Sequence, residues 1–377
     1  PRSPAKLSLH SGQWTRRRGG YLWPSLRFCN APGDLPAMGA EAPHVSVIVC
    51  HHVGRTLIQR CLESVFKSEG VTAEVLVVTS DTTYTNEQVV LLFLQDGPAA
   101  KRNFGTAQSK ADIIVYLDDD VEISPYCLYE FWKWMEEHPR CGMAFAKIYK
   151  MEEGRRDEFD AAGSWLTWTG FLWDRAGNGQ RDHGQFNTPC RILASKSATV
   201  AIRRAAFIAA GTFDADYYIL GEETDLAWRL WLRGWECWYV PSAVSWHAFG
   251  CFNLKPKQEF YTDERIFFRG PSNYFSMLLT NCGAWRLWPM LCCQVLAWSA
   301  AATGFLLRGE FQRGRMVLFG IWDGAVLRFA SNAQKRRRVQ SSRTLSDAKL
   351  FRFISYTPPL SYYVNRLWRY WTTQLHG

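Results

Sequence analysis

The sequence contains 11 cysteines but no C-x-x-C pair. Structural zinc sites need closely spaced Cys or His ligands, so this absence argues against a zinc-binding module. The cysteines are scattered along the chain, and Cys292 and Cys293 are adjacent inside an apolar run. This usage is typical of small buried side chains in a reducing compartment.

The N-terminal stretch also lacks a plausible secretory signal. Arg16, Arg17 and Arg18 precede the segment GGYLWPSLRF, which is too short and too interrupted to form an apolar signal core. Residues 1–37 are rich in Pro, Gly, Arg and Ser. We therefore expect residues 1–43 to be disordered or extraneous to the fold, and we do not expect a secreted protein.

Charge is distributed unevenly along the 377 residues. Residues 1–37 carry 6 basic and 1 acidic side chains, a net charge of +5. Residues 38–264 carry 22 basic and 31 acidic side chains (−9), and residues 265–377 carry 16 basic and 3 acidic ones (+13). An acidic middle followed by a basic, aromatic C-terminal part suggests two tasks in one chain.

The hydrophobic pattern of the middle part predicts an α/β fold. Apolar, β-branched runs begin at Val45, Val75 and Ile113, and each is typical of a strand buried on both faces. Amphipathic or broken helical segments lie between them. This alternation predicts a doubly wound, mostly parallel sheet in a domain spanning residues 44–250.

One strand of that sheet ends in three aspartates, Asp118, Asp119 and Asp120. Like charges repel one another and are costly to bury, so such a cluster needs a reason. In open α/β sheets ligands bind beyond the carboxyl ends of the strands, and carboxylates collected there are suited to a divalent cation. The alternative is an ordinary turn whose aspartates cap the helix after Ser124.

A second group of acids, Glu222, Glu223 and Asp225, begins the helix of GEETDLAWRLWLRGW. Helix capping alone could explain them, because the helix dipole favours negative charge at that end. Between the two acidic groups, residues 150–196 predict a long irregular loop rich in tryptophan. Loops of this length in a compact domain are usually functional.

The order of several motifs between Val45 and Gly250 is informative. It runs VSVIVC, LESVF, EVLVV, GPAAKRNFG, LDDDV, GTFDADYYILGEETDLAWRLWLRGW and YVPSAVSWH. This series resembles family 2 glycosyltransferases of the A-type fold. It is most similar to bacterial enzymes that add rhamnose or similar sugars to cell-surface polysaccharides.

The resemblance implies a role for each matching residue. Asp120 and His247 would bind Mn²⁺ or Mg²⁺, and Glu223 would be the catalytic base. The remaining residues fall into two groups by position. The donor-binding group comprises Arg102, Asn103, Asp118, Asp119, Thr79 and Asp81. The acceptor-site group comprises Trp165, Trp168, Asp182, His183, Glu222, Asp225 and Arg229. Its loop residues are predicted from the stacking of sugar faces on aromatic rings, and the alternative is that the tryptophans fill a local core.

The sequence departs from the family pattern at three places. HHVGR follows the first strand, where the family usually has Pro-x-x-Asn-like residues. Thr79 stands where an Asp usually contacts the nucleotide base, with Asp81 two residues later. Glu223 replaces the commoner Asp as base, and its carboxylate reaches about one methylene further. These changes leave the nucleotide open.

The implied reaction is inverting transfer of a single sugar from a nucleotide-diphosphate sugar to a hydroxyl of a glycan or a lipid-linked glycan. The base removes the acceptor proton, and the metal neutralises the leaving diphosphate. A nucleotidyltransferase and a non-catalytic, membrane-bound sugar-nucleotide binder remain as alternatives. The Q-x-x-R-W element of processive synthases is absent, which favours transfer of one sugar.

The C-terminal region, residues 251–377, predicts basic, aromatic and apolar helices. Leu287–Leu307 is about as long as a bilayer span and is bracketed by Arg286 and Arg308. It could span the membrane, or it could lie in the membrane plane on an anionic leaflet. A soluble helical subdomain with a nucleic-acid patch is the third possibility. We expect a peripheral or single-span protein at the cytoplasmic face of the cell membrane, with no nucleic-acid partner.

Overall fold

The computed structural model describes residues 42–52, 57–151, 157–176, 180–248 and 264–372. The expectation for residues 1–43 falls outside these ranges except at residues 42 and 43. The chain begins with a parallel α/β unit. Its elements are β1 (Val45–His51), α1 (Ile58–Phe66), β2 (Ala73–Thr79), β3 (Val90–Phe93), α2 (Pro98–Gln108) and β4 (Ile113–Asp118).

Strand β1 is the centre of this unit. It pairs in parallel with β2 on one side and β4 on the other, and β3 adds in parallel beyond β2. Every residue of β1 is buried, as expected for a strand covered by helices on both faces of the sheet. The strands suggested by the apolar runs are therefore observed.

The next part of the chain starts with β5 (Val121–Ile123), α3 (Cys127–Glu137) and β6 (Cys141–Lys150). Residues 150–196 follow. Most of the described residues in this region are irregular, as predicted, but four short strands interrupt it. It contains β7 (Phe159–Ala161), β8 (Ser164–Thr167), β9 (Leu172–Asp174) and β10 (Cys190–Arg191). These strands are only two to four residues long, too short to show a hydrophobic period.

The domain is completed by β11 (Thr199–Arg203), α4 (Arg204–Ala210), α5 (Glu222–Leu232) and β12 (Glu236–His247). The strand order in the main sheet is β10-β12-β6-β11-β4-β1-β2-β3, with β5 against β12 and β7 against β6. Strand β11 is antiparallel to both β4 and β6, whereas β12 is parallel to β6. The predicted α/β fold is confirmed, with a parallel first half and a mixed second half.

The C-terminal part is helical, as predicted. It comprises α6 (Glu264–Asn281), α7 (Ala284–Leu307), α8 (Phe311–Trp322), a π-helical segment (Asp323–Leu327), α9 (Phe329–Ser341), α10 (Asp347–Ile354) and α11 (Leu360–Thr372). A short strand, β13 (Ser355–Tyr356), pairs with β8, so these residues join the small sheet of β8 and β9. Among the described helices, α7 is long and apolar enough to cross a membrane by length and composition.

The C-terminal helices share a hydrophobic core with the α/β domain. Leu278 on α6 and Leu350 on α10 are fully buried in the same cluster as Trp228 and Trp231 of α5. Backbone contact continues at Thr344, whose N–H donates to the carbonyl oxygen of Leu232. Helix α5 is therefore enclosed between the sheet and the C-terminal helices.

Candidate active site

The aspartate triplet lies at the carboxyl end of β4, in the centre of the sheet. Asp118 ends β4, and Asp119 and Asp120 form the turn into β5. Strand β5 pairs with the end of β12, where His247 is opposite Val121. This register brings the imidazole of His247 beside Asp120, so two segments 127 residues apart meet at one point.

Asp118, Asp120 and His247 form a group that could hold a metal ion. One ligand atom from each residue lies within 4.8 Å of the others. His247 Nε2 lies 3.4 Å from Asp120 Oδ1, and His247 Nδ1 lies 3.0 Å from Asp160 Oδ2. An imidazole held by a carboxylate at one nitrogen presents the other nitrogen to a metal, the usual arrangement around a metal-binding histidine.

The donor set fits a divalent cation. Two carboxylates and one imidazole suit Mn²⁺ or Mg²⁺ better than a soft metal, because no thiolate is among them. Lys196 Nζ contacts Asp160 Oδ1 at 2.5 Å. Burial by itself would raise the pKa of Asp160, but its bonds to His247 and Lys196 outweigh this and lower the pKa to about 2. Asp160 therefore stays ionised and fixes the orientation of His247.

Arg102 connects this group to the acids of α5. Its side chain is 2% exposed, and its two terminal nitrogens lie 3.0 Å from Asp118 Oδ1 and 3.0 Å from Glu222 Oε1. Its neighbour Lys101 donates from Nζ to the carbonyl oxygen of His51 at 2.6 Å. Burial lowers the pKa of Lys101. Helix α2 thus supplies two buried cations beside the strand ends.

Glu222 and Glu223 are adjacent at the first turn of α5, and their environments differ. Glu222 is buried and paired with Arg102. Glu223 is half-buried and receives a weak hydrogen bond from the Thr224 hydroxyl at 3.3 Å. Burial, together with the negative charge of Glu222, raises the pKa of Glu223 above its ordinary value. A carboxylate with a raised pKa is a better proton acceptor near neutral pH.

Comparison with known proteins identifies the domain. The family model for glycosyl transferase family 2 matches residues 46–202. These residues form a family 2 glycosyltransferase domain. An uncharacterized protein of Mycobacterium tuberculosis (strain CDC 1551 / Oshkosh) is 27% identical over 236 residues, covering 57% of this chain and 70% of the relative.

A solved glycosyltransferase shares the fold. GalNAc-T7 with UDP, GalNAc and Mn²⁺ superposes with a TM-score of 0.58 at 14% identity, over 86% of this chain and 58% of its own length. This chain therefore spans little more than half of that structure. The mannosyltransferase PcManGT of Pyrobaculum calidifontis, with GDP-Man and Mn²⁺, gives a TM-score of 0.45 at 16% identity, covering 79% of this chain and 88% of the other.

The predicted donor-binding residues of the glycosyltransferase domain differ in what remains open to a ligand. Asp119 accepts from the backbone N–H of His52 at 2.8 Å. Thr79 is fully buried, and its hydroxyl contacts His51 Nδ1 at 2.9 Å. Asn103 uses both ends of its amide on the backbone of Phe213, at 2.9 and 3.0 Å. Thr79 and Asn103 thus support the walls of the predicted pocket, and their contact with donor stays a prediction.

Asp81 is more accessible than Thr79, the last residue of β2. Its carboxylate accepts from the backbone N–H of Thr83 at 2.9 Å and from the Thr83 hydroxyl at 2.6 Å. These hydrogen bonds lower the pKa of Asp81. Asp81 is therefore an ionised, partly exposed side chain beyond the end of β2, on the side of the sheet where the aspartate triplet lies.

Asp225 and Arg229, predicted near the acceptor, form a buried ion pair instead of an open surface. Arg229 NH2 lies 2.8 Å from Asp225 Oδ2. The same guanidinium donates to the carbonyl oxygen of Thr212 at 2.7 Å, and Asp225 accepts from the Tyr217 hydroxyl at 3.2 Å. This pair braces α5 against the preceding turn, and direct acceptor contact by either residue stays a prediction.

The tryptophans of the region 150–196 divide into two kinds. Trp165 stacks on Trp173 with ring centroids 5.7 Å apart, and Trp165 Nε1 donates to the carbonyl oxygen of Arg191 at 3.0 Å. It belongs to the packed small sheet, as the core-filling alternative would have it. Trp168 is 51% exposed and touches only the edge of Tyr363 among the described ring contacts. Trp168 therefore keeps a free face for a ligand.

Asp182 and His183 lie at the other end of the same region. Asp182 accepts from Lys147 Nζ at 2.8 Å and from the hydroxyl of Tyr149. It also accepts from the N–H of Gly184 at 2.7 Å. His183 is exposed, and its backbone N–H is bonded to Gln185. Asp182 thus orders a turn, whereas the His183 ring is accessible.

Sequence reasoning missed two residues of the site. Asp160 lies in β7 and holds His247, but a single acid in a three-residue strand carries no periodic signal. Lys101 precedes Arg102 in the segment GPAAKRN, and its burial is visible only once α2 packs on β1. Both residues act through contacts that are distant in sequence.

Proposed function

We propose that the protein transfers a single hexosyl or deoxyhexosyl group from a nucleotide-diphosphate sugar to a hydroxyl of a glycan or lipid-linked glycan, with inversion. The observation that carries this proposal is the position of Arg102 between Asp118 and Glu222, 3.0 Å from each. It places the candidate metal-binding carboxylates within one side chain of Glu222, the neighbour of the candidate base Glu223. Transfer requires the donor diphosphate, held at the metal, and the acceptor hydroxyl, held at the base, to lie next to each other.

The residues of this chain suit a single displacement. The acceptor oxygen bonds to the anomeric carbon while the bond from that carbon to the diphosphate oxygen breaks. The acceptor proton passes to the carboxylate of Glu223, and the nucleotide diphosphate leaves with the electron pair. Asp118, Asp120 and His247 would hold Mn²⁺ or Mg²⁺, which when bound neutralises charge on the diphosphate.

Hydrolysis or transfer with a panel of UDP-, GDP- and dTDP-sugars tests the reaction class. We expect metal-dependent release of nucleotide diphosphate from one donor in the panel. Glu223→Gln should keep donor binding and lower turnover by about 10²–10⁴-fold, the usual worth of a general base. Release of pyrophosphate from a nucleoside triphosphate mixed with a sugar 1-phosphate, without reaction of the panel, would identify a nucleotidyltransferase. Binding without turnover in either assay would identify a non-catalytic binder.

We also propose that the C-terminal helices lie on an anionic membrane surface, where a lipid-linked acceptor of cell-surface polysaccharide synthesis would be reached. The outer face of α7 exposes Trp285, Trp288, Leu296 and Leu307, at 94%, 69%, 71% and 84%. An apolar surface of this extent is uncommon on a soluble protein. The inner face of α7 is buried, so an in-plane orientation is favoured over a membrane span.

Part of the basic charge of this region is used inside the protein. Lys335 contacts Asp214 at 2.6 Å and Asp216 at 2.8 Å. Arg336 donates to the carbonyl oxygen of Leu279 at 2.8 Å, and Arg343 pairs with Asp347. Fewer than the 16 basic residues counted from 265 onward are therefore free to face lipid. Partial release from anionic vesicles at high salt would support in-plane binding, and a need for detergent would indicate a span.

A further inference from the structure

The segment directly before the acid pair has an unfavourable backbone. Tyr218 and Leu220 have φ values of 60° and 71°, and Gly221 has a φ of 89°. Three non-glycine residues have positive φ in the described chain, and two of them lie in this segment. Residues with a Cβ rarely adopt this region, so surrounding contacts must hold the segment in place.

Those contacts come from α6. Asn273 is 3% exposed, and its Nδ2 lies 3.2, 2.9 and 2.8 Å from the carbonyl oxygens of Tyr217, Ile219 and Leu220. Two turns further along α6, Asn281 Nδ2 donates to Asp225 Oδ1 at 2.7 Å. Helix α6 therefore holds the chain on both sides of Glu222 and Glu223.

The orientation of the Asn273 amide is determined by its donors. Its Oδ1 is buried and has no hydrogen-bond partner among the described residues. Turning the amide over would place that oxygen against three carbonyl oxygens, which repel it, so only one orientation fits the surroundings. A buried acceptor left unsatisfied is unfavourable. The contacts of the NH₂ group with the three carbonyl oxygens therefore explain why Oδ1 is left without a partner.

We propose that Asn273 is a positioning residue that fixes Glu223 for proton transfer, an inference that rests on the proposed function. Glu223 is the second residue of α5, two positions after Gly221. A shift of the Tyr218–Gly221 segment would move its carboxylate and also disturb the contact between Glu222 and Arg102. Small misplacements of a reacting group lower turnover more than they lower binding.

Asn273→Asp tests the role because it keeps the size of the side chain and removes both N–H donors. We expect kcat to fall by about 10–100-fold, with the donor KM within about threefold of wild type. Asn273→Ala removes the same donors without adding charge and should behave alike. Asn332→Asp is the matched control. Asn332 is 2% exposed on α9, and its Nδ2 contacts Ser276 and Gly324, within the C-terminal helices.

A second substitution separates positioning from stability. Glycine adopts positive φ without steric cost, so Leu220→Gly should let the segment keep its conformation without Asn273. The double variant N273D/L220G should recover at least about fivefold in kcat over N273D, after correction for L220G alone. A role limited to packing α6 would show no such recovery, and that result would overturn the proposal.

Hydrogen exchange supplies a readout that does not depend on activity. Amides of residues 218–225 should exchange at least about tenfold faster in N273D than in wild type. Their exchange rates in N332D should equal those of wild type. Unchanged exchange in N273D would refute the inference even in an active enzyme. Faster exchange in N273D, with no wild-type turnover of any sugar nucleotide, would leave Asn273 as the holder of this segment and reject the proposed function.

Discussion

Asp160→Asn is the substitution that most directly tests the candidate metal site. Asp160 Oδ2 lies 3.0 Å from His247 Nδ1, and its side chain is 6% exposed. An asparagine can still accept this hydrogen bond but carries no charge. The variant therefore removes the electrostatic part of the contact and leaves its geometry in place. Asp160→Ala removes both.

The structure sets the size of the expected effect. His247 is 9% exposed, so Asp160→Ala leaves its Nδ1–H without its carboxylate partner in a buried place. An unsatisfied buried donor costs about 1–3 kcal/mol. Loss of a carboxylate behind a metal-binding histidine weakens metal affinity by about 10–100-fold. Lys196 is 43% exposed and can return to solvent, so it adds little to the cost.

Mn²⁺ titration of the purified protein, followed by electron paramagnetic resonance, measures this directly. We expect Kd for Mn²⁺ to rise by about 100-fold in D160A and by about tenfold in D160N. Saturating Mn²⁺ should restore most of the turnover in D160N. Asp120→Ala, which removes a ligand, should not be restored. Equal Mn²⁺ affinity in wild type and D160A would refute the assignment of Asp160 and His247 to a metal site.

Three further predictions concern the base, the acceptor and the membrane. Because Glu223 accepts a proton only when ionised, kcat should rise with pH through a pKa above the ordinary glutamate value. Glu222→Gln removes a like charge beside Glu223, so it should move this rise of kcat to lower pH. Trp168→Ala should raise the acceptor KM with little change in Tm, whereas Trp165→Ala should lower Tm. Trp285→Ser should weaken binding to anionic vesicles about tenfold, because a 94% exposed indole would lose its contact with lipid.

Each of these predictions has a contrary outcome. An acidic limb unchanged in E222Q would move the proton acceptor away from Glu223. An unchanged acceptor KM in W168A would leave the exposed tryptophan without a role at the site. For the membrane, Phe66→Ser is the control, because Phe66 is 42% exposed on α1 of the catalytic domain. Equal loss of vesicle binding in F66S and W285S would contradict binding through α7.

The long elements of the catalytic domain were predictable because their hydrophobic patterns are complete. Strand β1 has seven buried residues, and its continuous apolar run is visible without any tertiary information. The aspartate triplet and the acids of α5 were visible as charges at the ends of such elements. Asp160 was not, because its significance depends on the pairing of β6 with both β7 and β12, which brings it within reach of His247.

Asn273 and Asn281 illustrate a signal that is present in the sequence but easily passed over. They lie eight residues apart on α6, about two helical turns, and both are buried. Polar residues at such spacing indicate a helix that contacts a polar partner. What the sequence cannot supply is the partner, here the strained segment before Glu222.

These contacts change the meaning of the basic C-terminal region. The exposed face of α7 and the free basic residues suit a membrane, but the inner side of the same helices completes the catalytic domain. Trp228 and Trp231 of α5 are buried against α10, where Trp231 stacks on Phe353 at 5.7 Å. Two tryptophans bury roughly 400 Å², and exposing even half of that area costs on the order of 5 kcal/mol. That is comparable to the whole stability of many domains, so removing the C-terminal helices should unfold the active site rather than release a soluble enzyme.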